Sequence, residues 1–247
     1  FSSSSMAFFK FRKPMTHQGH TTSETISILR VFISTIIYLD KCYSNVNKNP
    51  LKSVMKTICV YAGSALGNKE SFSTAATNLG HAIVNSGFSM VYGGGSRGLM
   101  GVVADAVLSK EGHVTGIITK QLDDIEVGHK ELTVLEVVDT MHERKARMAE
   151  LSGSVISLPG GVGTWEEFYE ALAWNQLGFY SKPIILLNID NYYDDLFNFT
   201  TKSVKEGFLP QKTYEDLFLV DSIDEAISIV VNFKKKDGKD WFERLER

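Results

Sequence analysis

Two stretches of this chain carry residue types and spacings that could do chemistry. The first is Pro159-Gly160-Gly161-Val162-Gly163-Thr164-Trp165-Glu166-Glu167. Proline cannot donate to a sheet ladder, so Pro159 ends the strand before it. Three glycines let the backbone turn sharply and come close to a ligand. Thr164 is expected at the start of the following helix, where its hydroxyl caps amides or meets an anion. Exposed amides at a helix start favour a phosphate. Glu166 and Glu167 follow, expected in the first helical turn, either as ordinary dipole partners or with one carboxylate aimed into the ligand site. The second stretch is Thr140-Met141-His142-Glu143-Arg144-Lys145-Ala146-Arg147-Met148. Its cations are either a solvated helix face or a group reaching the same site, and arginine suits planar, bidentate contacts better than lysine.

Both stretches depend on the elements that carry them. From Lys56 onward, short apolar runs alternate with helical patterns. Strands are expected at Thr57–Tyr61, Phe88–Tyr92, Val114–Ile118, Thr133–Val138, Val155–Leu158, Pro183–Asn188 and Leu217–Val220. Helices are expected at Glu70–Ser86, Leu99–Lys110, Thr140–Ser152, Trp165–Leu177, Tyr192–Gly207 and Ile223–Phe233. This alternation predicts βαβ units and an α/β fold: a doubly wound parallel sheet forming one Rossmann-like domain, its strands apolar because both faces are covered. Ligands of such sheets bind at the carboxyl ends of the strands. Three glycine-bearing loops fall there, at Gly63 to Gly67, Gly93 to Gly98 and Gly160 to Gly163.

Composition sets further bounds. The 247 residues are 43% hydrophobic and 22% charged, with a formal net charge of -3. That is enough for one sizeable core, and it gives no electrostatic reason to expect a nucleic-acid partner. No apolar run reaches the about 20 residues of a membrane span. The two cysteines, Cys42 and Cys59, form no disulfide framework and no zinc pattern, which fits a reducing, cytoplasmic setting. Residues 1–50 hold six Lys/Arg and two Asp/Glu. A basic, Ser-rich, acid-poor segment is either an organelle-targeting leader or a disordered one. The expected organisation is a leader over 1–54, a Rossmann-like domain over 55–233 and a charged tail over 234–247.

Met141-His142-Glu143-Arg144-Lys145 followed by Pro159-Gly160-Gly161-Val162-Gly163-Thr164-Trp165-Glu166-Glu167 resembles the LOG family, the cytokinin riboside 5'-monophosphate phosphoribohydrolases, with their PGGxGTxxE signature. Cys59 to Ser64, Val91 to Gly95, Leu99-Met100-Gly101 and Glu126-Val127-Gly128-His129 match in order. The resemblance implies hydrolysis of the N-glycosidic bond of a nucleoside 5'-monophosphate, prenylated AMP or AMP, to free base and ribose 5-phosphate. It implies a homodimer, with no metal and no redox cofactor. It further implies that Glu126, Arg144, Lys145, Gly161, Val162, Gly163, Thr164, Trp165, Glu166 and Glu167 contact substrate, with Arg144 and Glu167 as the catalytic pair. Some members carry the label lysine decarboxylase, for which no pyridoxal phosphate site is visible.

Departures from the family bear on specificity. Trp165 replaces a smaller aliphatic residue, Ala173 stands where plant members usually have threonine, and Arg97 adds a charge many relatives lack. Two other readings stay open from the residues alone. One is a non-enzymatic nucleotide-binding or carrier module. The other is an NAD-type oxidoreductase resting on Gly93-Gly94-Gly95-Ser96-Arg97-Gly98, which lacks the acid expected about 20 residues on, at the end of the next strand.

Overall fold

The computed structural model describes residues 56–126 and 128–234. The expected leader and nearly all of the expected tail lie outside the described residues. Seven strands form one all-parallel sheet in the order β4-β3-β2-β1-β5-β6-β7. They are β1 (Thr57–Tyr61), β2 (Ser89–Tyr92), β3 (Val114–Thr119), β4 (Val134–Val138), β5 (Ser154–Ser157), β6 (Ile184–Leu187) and β7 (Leu217–Val220). The helices are α1 (Glu70–Asn85), α2 (Gly98–Leu108), α3 (Lys120–Glu126), α4 (Met141–Leu151), α5 (Val162–Gln176), α6 (Asp194–Lys205), α7 (Gln211–Tyr214) and α8 (Ile223–Asn232). The doubly wound α/β architecture is the one expected.

Alternation along the strands builds two cores, because successive side chains leave opposite faces. Ile58 and Val60 of β1 face one core with Leu79 of α1, Val103 of α2 and Ala226 of α8. Cys59 and Tyr61 face the other with Met148 of α4 and Phe168 and Leu172 of α5. The helix after β1 therefore covers one face and the helix after β5 covers the other. These neighbouring strands mark the switch point of the sheet, where a crevice opens at their carboxyl ends.

Several local expectations are corrected. Helix α5 begins at Val162, three residues before the expected start, with Gly161 as its N-cap and no side-chain cap. Thr164 is thus the third helical residue and not the cap. Glu166 and Glu167 fall beyond the first turn, which holds no acid. Glycine at 163 hid this start, since glycine reads as a helix breaker. The segment expected to be helical from Tyr192 instead follows a 3-10 turn at Ile189–Asn191, and α6 starts at Asp194. Helices α3 and α7 were not expected. Nor are all strands covered on both faces: at the sheet edge, Val134, Leu135 and Val137 of β4 are exposed.

Candidate functional site

The site assembles where the loops after β1, β2 and β5 meet. Pro159 accepts a hydrogen bond from the Gly63 amide at 3.1 Å, tying the β5 loop to the β1 loop. A side chain at Gly160 would lie 2.2 Å from Thr164 Oγ1 and 2.9 Å from the Gly63 amide nitrogen. Gly98 has φ +62°, and a Cβ there would sit 2.3 Å from the Ser64 carbonyl carbon. Only glycine permits that conformation together with that approach, so the β2 loop closes onto the β1 loop. Gly161 and Gly163 differ. Neither has a positive φ, and a Cβ at either would meet nothing within 4 Å among the described residues. Neither the conformation nor the packing of this chain requires glycine there, so the absent side chains leave room for an approaching molecule.

Helix α4 supplies the cations. It is started by a capping box, in which Thr140 Oγ1 accepts from the Glu143 amide and Glu143 Oε2 accepts from the Thr140 amide, both at 3.1 Å. The T-x-x-E spacing was legible in the sequence. The box fixes the first turn, so Arg144 and Lys145 enter the protein instead of the solvent, with relative exposures of 5% and 9%. The solvated-face reading therefore fails for these two. It suits Arg147 better, which lies part-buried against Glu136 and Glu150.

Arg144 is committed to the sheet. Its Nε donates to the Ile117 carbonyl within β3 at 2.9 Å and its Nη2 to the carbonyl of Gly93, just after β2, at 2.8 Å. Its Nη1 lies 3.8 Å from Glu167 Oε1, an ion pair longer than a hydrogen bond. The guanidinium is thus a fixed positive charge beside Glu167, with two donor directions already used. A Cβ on Gly93 would fall 2.0 Å from Nη2. Gly93→Ala is accordingly expected to push the guanidinium off its carbonyl, lowering both thermal stability and turnover, and differential scanning fluorimetry with a turnover assay checks both.

Lys145 is held by two carboxylates: Nζ lies 2.5 Å from Glu166 Oε1 and 3.0 Å from Glu170 Oε1. Burial works against its charge, but the hydrogen bonds and charges of Glu166 and Glu170 outweigh it, and the pKa is raised. Glu170 was missed by sequence reasoning. It follows Glu166 by four residues, and that spacing places both on one helix face. Beneath Glu167 the floor is neutral. Burial first, then the charge of Glu167, pushes the Cys59 thiol up to about 12. Burial likewise raises the Tyr61 phenol well above its ordinary value. Cys59 is therefore a core residue and not a nucleophile.

The other expected site residues lie around this centre. Thr164 is buried beneath the loop, while Val162 and Trp165 are exposed on its rim. Glu126 ends α3, and its side chain lies outside the described residues. Arg97 is the exposed N-cap of α2, and Ala173 is exposed on α5. Tyr192 and Tyr193, which carried no signal in the sequence, reach the loop from the segment after β6. Their hydroxyls donate to the carbonyls of Gly160 and Leu158 at 2.5 and 2.6 Å.

Comparison with known proteins places the chain in a family. A family model described as "possible lysine decarboxylase" matches residues 100–230. Two cytokinin riboside 5'-monophosphate phosphoribohydrolases of Arabidopsis thaliana are similar to the chain. One is 46% identical over 158 residues, covering 64% of this chain and 74% of its own length. The other is 45% identical over 189 residues, covering 76% and 89%. A counterpart from Oryza sativa subsp. japonica is 46% identical over 160 residues, covering 65% and 66%. Among solved structures, a structural-genomics target has a TM-score of 0.57 at 23% identity, covering 72% of this chain and 99% of its own. A molybdenum cofactor carrier protein from Chlamydomonas reinhardtii has a TM-score of 0.54 at 20% identity, covering 71% and 95%. These last two likenesses bear on the fold alone. The chain belongs to the LOG family, that of the cytokinin riboside 5'-monophosphate phosphoribohydrolases.

Proposed function

We propose that this chain is an N-glycosyl hydrolase that cleaves cytokinin riboside 5'-monophosphate to the free base and ribose 5-phosphate. The observation that carries the proposal is the Arg144–Glu167 pair at 3.8 Å, set beside a glycine loop with room for a ligand. The family's named activity supports it. Cleaving the bond between C1' and the base nitrogen builds positive charge on the ribose, as in O-glycoside hydrolysis. Glu167 faces that charge and takes a proton from the attacking water. The water oxygen bonds to C1', the C1'–N bond breaks with its electron pair going to the base, and the proton that Glu167 took from water passes to the base, returning Glu167 to its carboxylate. Arg144 sets its fixed positive charge beside Glu167 and orients it.

The loop amides of Gly161 to Thr164 are assigned to the 5'-phosphate. Lys145 is paired with two carboxylates, so its part is to fix Glu166 and Glu170 and to soften the negative charge near the incoming anion. Anchoring the phosphate positions C1' over Glu167. The same pairing disfavours a pyridoxal Schiff base at Lys145, which needs an uncharged amine.

Three departures from the family pattern are exposed: Trp165 beside the glycine loop, Arg97 at the N-cap of α2 and Ala173 near the far end of α5. We assign these three to the choice between AMP and its prenylated form, with Glu126 as a further substrate contact. A homodimer is proposed on the α5–α6 face. There Phe199 and Phe208 are exposed, and a cleft of about 270 Å³ is lined by Tyr169, Leu172 and Ala173 among others. Light scattering on a sizing column should give twice the chain mass. No helix among the described residues is long and apolar enough to cross a membrane, and a reducing, cytoplasmic setting suits the buried thiol of Cys59. Free base separated by chromatography after incubation with isopentenyl-AMP and with AMP tests the activity. A carrier would bind either nucleotide and return it intact.

A further inference from the structure

Every carbonyl from Leu158 to Gly161 is engaged by a donor of this chain. Leu158 accepts from the Tyr193 hydroxyl, Pro159 from the Gly63 amide, Gly160 from the Tyr192 hydroxyl, and Gly161 from the Trp165 amide at 3.1 Å. A trans peptide is planar, so its carbonyl and the next residue's N–H point in opposite directions. Fixing the Pro159 carbonyl aims the Gly160 amide, fixing that of Gly160 aims the Gly161 amide, and fixing that of Gly161 aims the Val162 amide. The amides of Val162, Gly163 and Thr164 belong to the first turn of α5, where no intrahelical acceptor exists. The loop is thus a run of donors with its acceptors tied back. Two of these ties are backbone contacts that the fold supplies. The other two are tyrosine hydroxyls from a segment that follows α5 in the chain.

That segment is built to deliver them. Asp190 and Asn191 hold φ of +53° and +62°, a left-handed conformation that aspartate and asparagine tolerate better than other side chains. Asp190 Oδ2 accepts from Ser71 Oγ at 2.6 Å and pairs with Lys69 Nζ at 3.3 Å, which pins the turn to the start of α1. The Tyr192 ring rests edge-on against Phe72 at 5.9 Å and against Tyr193 at 5.0 Å. The Tyr193 amide donates to Asn188 Oδ1 at 2.9 Å, and Asn188 Nδ2 donates to Asp194 and Asp221. Contacts on both sides therefore hold this turn, and the two tyrosines with it, in one position.

We propose that Tyr192 and Tyr193 are positioning residues for phosphate recognition: Tyr192, by holding the Gly160 carbonyl, aims the Gly161 amide at the 5'-phosphate, and Tyr193 fixes the exit of β5 beneath it. The proposal rests on the assignment of this loop to the 5'-phosphate. Its ligand class is a sugar phosphate, and its first effect is on anion binding, with the reacting carbon affected only through the anchored phosphate.

The test uses the full chain and Tyr192→Phe, which keeps both ring contacts and removes only the hydroxyl. Calorimetric titration with ribose 5-phosphate should give a Kd weakened on the order of tenfold, the loss of one well-placed hydrogen bond. In turnover, KM should rise in parallel while kcat falls less than twofold, and the thermal midpoint should stay close to that of the parent. Tyr193→Phe is the second variant and should weaken the same Kd. A wild-type chain that binds ribose 5-phosphate but releases no base sinks the hydrolase reading and leaves the titration as the test of the tyrosines. Equal Kd values for the parent and both variants overturn the proposal, as does a parent chain that does not bind ribose 5-phosphate.

Discussion

Glu167→Gln is expected to keep nucleotide binding and to lose turnover by on the order of 10²–10⁴-fold, the usual worth of a positioned acid–base group. Glutamine preserves the volume and one acceptor oxygen, but it has neither the negative charge that faces the ribose cation nor the basicity to take a proton from water. The alternative, that Glu167 merely complements the helix dipole, is weakened by its place in α5. The first turn contains no acid, and dipole effects fade beyond that turn. With 12% of its side chain exposed and Arg144 at 3.8 Å, Glu167 sits at the inner end of the site. Single-turnover kinetics with isopentenyl-AMP, alongside a binding isotherm for the same variant, separate loss of chemistry from loss of affinity. Normal turnover in Glu167→Gln reduces the residue to a counter-charge for Arg144.

The second large effect is expected at Arg144. In Arg144→Lys the charge is kept but the planar fork is not, and one ammonium cannot donate to the Ile117 and Gly93 carbonyls while also standing beside Glu167. Two buried acceptors then compete for one short-reaching donor. A loss of about 1–3 kcal/mol in stability is expected for each carbonyl left unsatisfied. Turnover should fall by on the order of 10²-fold, the scale seen when one preorganised electrostatic donor is removed. Urea unfolding gives the first number and steady-state kinetics the second. Full activity in Arg144→Lys contradicts the view that the guanidinium is fixed by the sheet in order to fix Glu167.

The sheet was legible in the sequence because parallel strands covered on both faces are short apolar runs, and the runs at Thr57, Val155 and Ile184 were unambiguous. The edge strand β4 was legible as a strand, but its exposure was not, since Val134, Leu135 and Val137 read like buried residues. The start of α5 was hidden because Gly161 and Gly163 carry no helical signal, and this error displaced Thr164 and both glutamates by a turn. The pairing of Glu166 with Glu170 through Lys145 was within reach of i,i+4 spacing. The partners of Arg144 were not: Ile117 and Gly93 lie 27 and 51 residues away, and a carbonyl acceptor leaves no mark on residue type. The same holds for Tyr192 and Tyr193, whose hydroxyls reach back 32 and 35 residues to backbone atoms.

The central claim is that this site breaks a bond rather than only holding a nucleotide. The most direct measurement incubates micromolar protein with isopentenyl-AMP and follows free base and ribose 5-phosphate together by chromatography. The account predicts release of both in equal amounts, abolished in Glu167→Gln. Quantitative recovery of intact nucleotide from the wild-type protein would contradict it.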